Sequence, residues 1–485
     1  MSAPSAPTVR RGTLLARRRA LRRLAQAAGA GSVVVAAGGW PQAQAWSLLN
    51  RAPQALAPVP TKPVVWADFL GVNAQLQWFA PEVAQQQVKH LQALGLSWVR
   101  LALHWMLLEP EPGQHKLEGT DRMMALVQQA GLHSIVYVVG SPRFASSAPA
   151  GAPYADKYPP SDPNVYAQRM VALAQRYPMV DVWQVWNEPN IPAFWQPRID
   201  PEGYARLLQP AVAALRKAVP DKPIAMAGMA YHSEMAGRGG LMLDAMGKLG
   251  AYKLNLIACY HPYTAEPEGA EDGVRDFLTH TPFVNKGLRA YGVKQIWATE
   301  WGWSSYDGPK EEQPIVGEAG QAGHTLKRLA LMATQDFDRI FLFTLADLDA
   351  RAGVRDRRYG LLRENGRPKP VYHALQRFLG ICGPRLLPGA PVRVADADGR
   401  EGRAGSAAED LPQGLVSIAW QRADGKRLWM AWAHAPMTVG LPGLSLGQGK
   451  AVWHQPVAGT QREVRAEAGQ PLRLDVGTEL QILVW

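Results

Sequence analysis

Two glutamates stand in unusual company. One lies in Val185-Trp186-Asn187-Glu188-Pro189-Asn190, the other in Ile296-Trp297-Ala298-Thr299-Glu300-Trp301-Gly302-Trp303. Each follows an apolar run and is flanked by aromatic residues. A lone Glu in such a place is ordinarily solvated or ion-paired. A converging pair can do more, because cleaving a glycosidic bond takes two carboxyl groups flanking it. Tryptophan suits that chemistry, since it joins a large apolar face, on which the C–H face of a sugar can stack, to a polar N–H. Trp78, Trp105, Trp195, Trp301 and Trp303 are expected in loops or strand ends near the pair, with core or lid packing as the alternative for each; His104 is expected within reach. The chain has no C-x-x-C and no H-E-x-x-H. No structural zinc or zincin centre is therefore expected, and the chemistry calls for no metal or cofactor.

The glutamates need a frame that brings them together. Eight apolar runs recur between Val65 and Gly380: Phe69–Asn73, Trp98–Leu103, Ser134–Val139, Val182–Trp186, Ile224–Gly228, Leu256–Tyr260, Gln295–Thr299 and Arg339–Thr344. They are continuous rather than alternating, as strands covered on both faces should be. Helical stripes lie between them. Val83, Val88, Leu91 and Leu94 form one that ends at Gly95, and Met123, Leu126, Val127 and Ala130 another before Gly131; Tyr204, Leu207, Leu208, Val212 and Leu215 form a third. Eight such units over residues 65–380 predict an α/β fold, a (β/α)8 TIM barrel, whose chemistry sits at the C-terminal ends of the strands. An open doubly wound sheet would want a Gly-rich first turn, and Gly71-Val72-Asn73-Ala74 does not supply it. Beyond Gly380 the texture alternates, in Leu415–Trp420, Arg427–Ala433 and Glu479–Trp485, with Asp424-Gly425 as a hairpin signal. A small all-β domain is expected over 385–485, as a structural cap or a carbohydrate-binding module.

Charge first points toward nucleic acid or membrane, at +11 over 485 residues. Seven of the arginines fall in residues 1–45, which hold no acid; without them 45 basic residues face 41 acidic ones, a balance of +4. The seven belong to a leader with Arg18-Arg19-Ala20-Leu21, an Ala/Gly/Val-rich middle and Ala43-Gln44-Ala45, which reads as a twin-arginine-like export signal over 1–45, with a linker over 46–64. Arg22 departs from the apolar residue preferred there. The alternative is a retained membrane anchor, for which the uncharged run Leu24–Asn50 is long enough but poor in strongly apolar residues. An exported, periplasmic protein is expected, inner-membrane anchored or secreted as variants of that reading. No nucleic-acid partner is expected. With 47% hydrophobic and 19% charged residues, the chain is not of the disordered class. Cys259 and Cys382 are expected as buried thiols, a long-range disulfide being the alternative.

The W-N-E-P-N and T-E-W-G patterns resemble those of the large clan of retaining (β/α)8 glycoside hydrolases. Leu108-Glu109-Pro110-Glu111-x-Gly113, Ser141-Pro142-x-x-Ala145-Ser146 and Trp186-Asn187-Glu188-Pro189-Asn190-x-x-x-Phe194-Trp195 make the chain similar to family 39-like members, and the end, Tyr359-Gly360-Leu361-Leu362 followed by Gly366-x-Pro368-Lys369-Pro370-x-Tyr372, is also typical of such barrels. Within these it looks like the PslG-type hydrolases encoded with exopolysaccharide biosynthesis. The resemblance spans about Phe69 to Leu379. It implies Glu188 as acid/base and Glu300 as nucleophile, about 5–5.5 Å apart for retention. The charge on Glu300 would favour the protonated form of Glu188, and its loss in a glycosyl–enzyme would let Glu188 ionise and activate water. It further implies that Arg100 favours the ionised nucleophile and that Asn187 bonds the sugar 2-hydroxyl. His261 and Tyr263, in Tyr260-His261-Pro262-Tyr263, are expected to contact the same centre. The expected function is hydrolysis of a polysaccharide or oligosaccharide, an exopolysaccharide in particular, by a protein that could associate with a polysaccharide synthesis or export complex. The alternatives are an exo-acting xylosidase-like enzyme, a transglycosylase using the same residues, and, in a different class, a non-catalytic glycan-binding component.

Overall fold

The computed structural model describes residues 56–231, 242–264, 266–269, 271–309, 314–354, 356–396, 411–444, 446, 450–466 and 470–485. Within them the eight apolar runs become a closed barrel of parallel strands: β1 (Leu70–Ala74), β2 (Trp98–His104), β3 (His133–Val139), β4 (Val182–Asn187), β5 (Ile224–Tyr231), β6 (Ile257–Pro262), β7 (Ile296–Trp301) and β8 (Arg339–Leu342). Each pairs with the next, and Leu70–Val72 of β1 close the ring against Ile340–Leu342 of β8. The expected leader over 1–45 and the first part of the linker lie outside the described residues.

Eight longer helices alternate with the strands: α1 (Pro81–Ala93), α2 (Glu118–Gln129), α3 (Pro163–Arg176), α4 (Pro201–Ala218), α5 (Met242–Lys248), α6 (Glu271–Ala290), α7 (Gly317–Ala333) and α8 (Pro370–Cys382). Local chemistry sets several ends. Asp162 and Asp200 cap α3 and α4 by accepting from Asn164 N and Gly203 N, each followed by a proline whose missing N–H has no partner to lose. Gly95 and Gly131, with φ of +70° and +66°, turn the chain out of α1 and α2.

The lower barrel is filled by Trp98, Ile135, Val182, Ala225, Ile257, Cys259, Trp297 and Phe341, contributed by seven strands. Arg339 lies over Trp98 and Trp297, 3.7 Å and 4.6 Å from their ring centroids. The N-terminal end of the barrel is thus packed with side chains, not open as a pore. Cys259 and Cys382 are free and buried, and burial pushes the Cys259 thiol up to about 12.

After α8 the chain forms antiparallel strands: β9 (Arg385–Pro388), β10 (Leu415–Arg422), β11 (Arg427–Ala433), β12 (Met437–Leu441), β13 (Lys450–Gln455), β14 (Thr460–Arg465), β15 (Leu472–Val476) and β16 (Gln481–Val484). One sheet runs from the short strand Val64–Val65 through β9, β10, β11, β16 and β13 to β14; β12 pairs with β15. The Asp424-Gly425 turn joins β10 to β11, Gly425 having φ +86°. Trp429, Trp453, Leu474 and Leu483 are among the residues of its own core. Among the described residues no helix is long and apolar enough to cross a membrane.

Candidate active site

The two glutamates meet at the C-terminal ends of their strands. Glu188 directly follows β4 and Glu300 is the penultimate residue of β7. A carboxylate oxygen of each, with a ring nitrogen of His261, forms a set whose members all lie within 4.8 Å of one another. Both glutamates are close to buried, at 9% and 8% exposure.

Their surroundings differ. Arg100, on β2, is 1% exposed and donates in four directions: Nη1 to Glu300 Oε1 (2.5 Å) and Asn73 Oδ1 (2.9 Å), Nη2 to Asn187 Oδ1 (2.7 Å), Nε to Gln184 Oε1 (2.9 Å). Its guanidinium also lies over the Tyr137 ring at 4.1 Å. A guanidinium so fixed places a permanent positive charge beside Glu300. Tyr263 OH stands 3.5 Å from Glu300 Oε2. Burial, reinforced by Glu300, pushes that phenol well above its ordinary value, so it remains a donor. Glu188 is faced by His261 instead, whose Nδ1 is 2.7 Å from Glu188 Oε1 and 3.7 Å from Glu300 Oε2. His261 Nε2 is 3.0 Å from Thr299 Oγ1.

Asn187 is 2% exposed, and Arg100 settles its orientation by claiming Oδ1. That aims the Nδ2 donor away from the arginine. His104, at the end of β2, is partly buried, and burial lowers its pKa while Asp156 opposes the shift. Glu188, Glu300, Asn187, Arg100, His261 and Tyr263 are therefore brought together as one constellation.

The tryptophans require correction. Trp105 is fully buried, donates Nε1 to Glu109 Oε2 (2.9 Å) and packs on Tyr166. Trp195 is 2% exposed and sits edge-on to Trp186 and Tyr204. Trp303 is 3% exposed and donates Nε1 to Glu268 Oε2 (2.9 Å). An indole enclosed in this way offers no open face for a sugar ring. Trp301 is as deeply buried, although its Nε1 has no hydrogen-bond partner among the described residues. Trp78 is partly exposed, but Arg351 lies over its ring at 4.5 Å. For Trp105, Trp195, Trp301 and Trp303 the alternative of core packing is the one the structure shows.

Four residues went unremarked as site residues: Asn73, Tyr137, Gln184 and Thr299. Asn73 Nδ2 donates to Thr299 O (3.0 Å) and Leu342 O (3.3 Å), tying β1 to β7 and β8, and Gln184 Nε2 donates to Met226 O (3.0 Å). Their signal was available: a polar side chain inside an otherwise apolar, doubly covered strand must have a buried partner.

Glu188, His261 and Glu300 also form a set able to ligate a cation. Arg100 already supplies a positive charge there. A separate cavity of about 410 Å³, lined by Arg216, Lys222, Ile224, Ile257 and Lys294 among others, lies at the N-terminal ends of β5–β7, away from this chemistry.

A parallel (β/α)8 barrel with paired carboxylates at the ends of two strands defines a class of sugar-cleaving barrels. Residues 60–326, more than half the chain, match the family model described as Cellulase (glycosyl hydrolase family 5), and the chain belongs to that family. It is thus a glycoside hydrolase, a glycosidase. Similar solved structures include a family 39 glycoside hydrolase from Bacteroides cellulosilyticus WH2, at 17% identity over 88% of this chain and 81% of that one, with a TM-score of 0.63. A GH30 endoxylanase from Clostridium papyrosolvens C71 (11% identity, 89% and 99% covered, TM-score 0.54) and a glucosidase from Croceicoccus marinus (13%, 89% and 98%, 0.54) share the fold. At these identities the likeness is one of fold alone. A search of the curated proteins finds no match. The family 39 resemblance is thus present as a structural neighbour, whereas the matching family model is that of family 5.

Proposed function

We propose that this chain is a retaining glycosidase acting on a polysaccharide, a bacterial exopolysaccharide in particular, with Glu300 as nucleophile and Glu188 as acid/base. The observation that carries the reading is the asymmetry of two close carboxylates, Glu300 held by Arg100 at 2.5 Å and Glu188 faced by His261 at 2.7 Å. Oxygens within 4.8 Å suit direct attack; an inverting enzyme places its carboxyls about 6.5–9.5 Å apart to admit a water.

Arg100 holds Oε1 of Glu300, leaving Oε2 as the attacking atom. It bonds to the anomeric carbon while the bond to the leaving oxygen breaks and Glu188 gives that oxygen its proton. In the tautomer that carries its proton on Nδ1, His261 donates to Glu188 Oε1 and leaves Oε2 as the oxygen that carries the glutamate's proton. The ester formed at Glu300 removes its charge; Glu188, now ionised, takes a proton from water, and the water oxygen displaces Glu300. Asn187 Nδ2 is placed to donate to the sugar 2-hydroxyl, a bond that strengthens as charge develops.

The leader over 1–45 supports export to the periplasm, where such a hydrolase could work beside a polysaccharide synthesis or export complex. The test is hydrolysis of purified exopolysaccharides and β-glucans by wild type, Glu188→Gln and Glu300→Gln. Loss of proton transfer alone should slow Glu188→Gln by about 10²–10⁴-fold, and Glu300→Gln should be at least as slow. Full activity in both variants sinks the assignment; a wild type that binds glycans and cleaves none would instead be a binding component.

A further inference from the structure

Glu188 occupies an unusual backbone position. Its φ is +41° and that of Trp186, two residues earlier, is +73°. Both lie in the left-handed region, where a side chain with a Cβ is crowded, and such positions persist only where their surroundings over-determine them. The carboxylate therefore depends on whatever holds this stretch.

That hold comes largely from β5. Asn187 is in register with Gly228, and Glu188 N donates to Gly228 O at 2.9 Å. Two residues further on, the side chain of Asn190 takes the place of a strand: Nδ2 donates to Ala230 O (2.6 Å), and Oδ1 accepts from Ala230 N (2.9 Å). Asn190 is 3% exposed, so both bonds are shielded from water. The pair brackets Glu188 with one fixed point on each side.

Gly228 acts in a second way. A Cβ there would overlap His261 Nε2 and stand 2.5 Å from Thr299 Oγ1. Those atoms form the hydrogen bond that orients the imidazole against Glu188. The same residue thus fixes the glutamate's backbone through its carbonyl and leaves room for the histidine that faces its carboxyl group.

We infer that Asn190 and Gly228 are positioning residues for Glu188, setting through β5 both the left-handed backbone that aims its carboxyl group and the imidazole that contacts it. Neither residue touches the reacting atoms. The inference rests on the acid/base role proposed for Glu188, although the geometry it concerns can be measured without turnover.

The experiment uses the full chain labelled with [15N]histidine. A buried imidazole N–H held against a carboxyl group gives a downfield proton resonance, assigned to His261 by its loss in His261→Ala. Asn190→Ala and Gly228→Ala should shift or broaden that resonance. Asp162→Ala, which removes the cap of α3, is the control for general destabilisation and should leave it in place. Activity gives the second readout, on methyl and 2,4-dinitrophenyl β-glycosides. The methyl compounds need a proton on the leaving oxygen, and Asn190→Ala should lose about tenfold or more in kcat/KM on them, part of the 10²–10⁴ an acid supplies. The dinitrophenyl compounds need none and should be nearly unaffected. An unchanged resonance in folded Asn190→Ala and Gly228→Ala, or equal losses on both substrates, overturns the inference. If the wild type cleaves neither substrate, the resonance alone decides the positioning, and the glycosidase reading is decided on the polysaccharides.

Discussion

Arg100 is the side chain on which the chemistry of the pair turns. Its four partners lie on β1, β4 and β7, so one guanidinium holds both the carboxylate of Glu300 and the amide of Asn187. Lysine would keep the charge but lose the planar fork that serves them together. Arg100→Lys should therefore fold, with kcat reduced by about 10–100-fold and KM changed less, since a group that acts mainly on the transition state affects kcat first. Steady-state kinetics checks this; wild-type kcat in the variant would remove Arg100 from the mechanism. At this scale the sequence was legible in position, since the strand ends read from the motifs are where Glu188, Glu300 and Asn187 stand. It misled where a residue type is compatible with two burials. Trp105, Trp195 and Trp303 are equally suited to a sugar or to a core, and only three-dimensional packing tells the two apart.

At the scale of elements, the loops after β7 and β8 are stapled by a buried ion pair. Lys369, at the start of α8, donates to Asp347 Oδ1 (2.9 Å) and Ser305 Oγ (2.8 Å), while Asp347 Oδ1 also accepts from Gly360 N (2.9 Å). Burial raises the Asp347 pKa and lowers that of Lys369, each opposed by its partner. Removing one partner of a buried pair strands the other, so Lys369→Met should cost about 3–5 kcal/mol. Replacing both, as Asp347→Leu with Lys369→Met, should cost less than Lys369→Met alone. Urea unfolding of the two variants decides; a single variant as stable as wild type would contradict the staple. The Gly366-x-Pro368-Lys369-Pro370 motif, read from sequence as a barrel-end signature, has this ion pair as its physical content. The strands were legible because doubly covered strands are continuously apolar. The bracket of Asn190 on Ala230 was not, because a side chain standing in for a strand leaves no periodic trace.

The whole molecule is joined through α7, whose residues from Gln321 to Ala333 are nearly all buried, Lys327 and Arg328 included. Lys327 Nζ donates to Thr478 O at 3.0 Å and Gly323 lies against Glu479, so the turn before β16 seats on this helix. A chain ending at residue 384 would strip Lys327 of these partners, uncover the apolar face of α7 they sit on, and should fail to unfold cooperatively by circular dichroism. A truncated chain of wild-type Tm would show the C-terminal strands to be dispensable. His324 on the same helix is pushed down to about 3, by burial first and then by Lys327 and Arg328. Folded protein keeps it neutral while unfolded chain protonates it below about 6.5. Its stabilising contribution is then complete above that pH and is lost as pH falls toward 3, by up to about 1.4 kcal/mol per unit. His324→Gln should flatten the Tm profile over that window, and an unaltered slope would contradict the assignment. The central claim is that cleavage proceeds through a glycosyl–enzyme on Glu300, and proton NMR of the first product released from a cleaved polysaccharide tests it most directly. The account predicts that the newly formed reducing end carries the anomeric configuration of the bond that was cut; a product initially of the opposite anomer would contradict it.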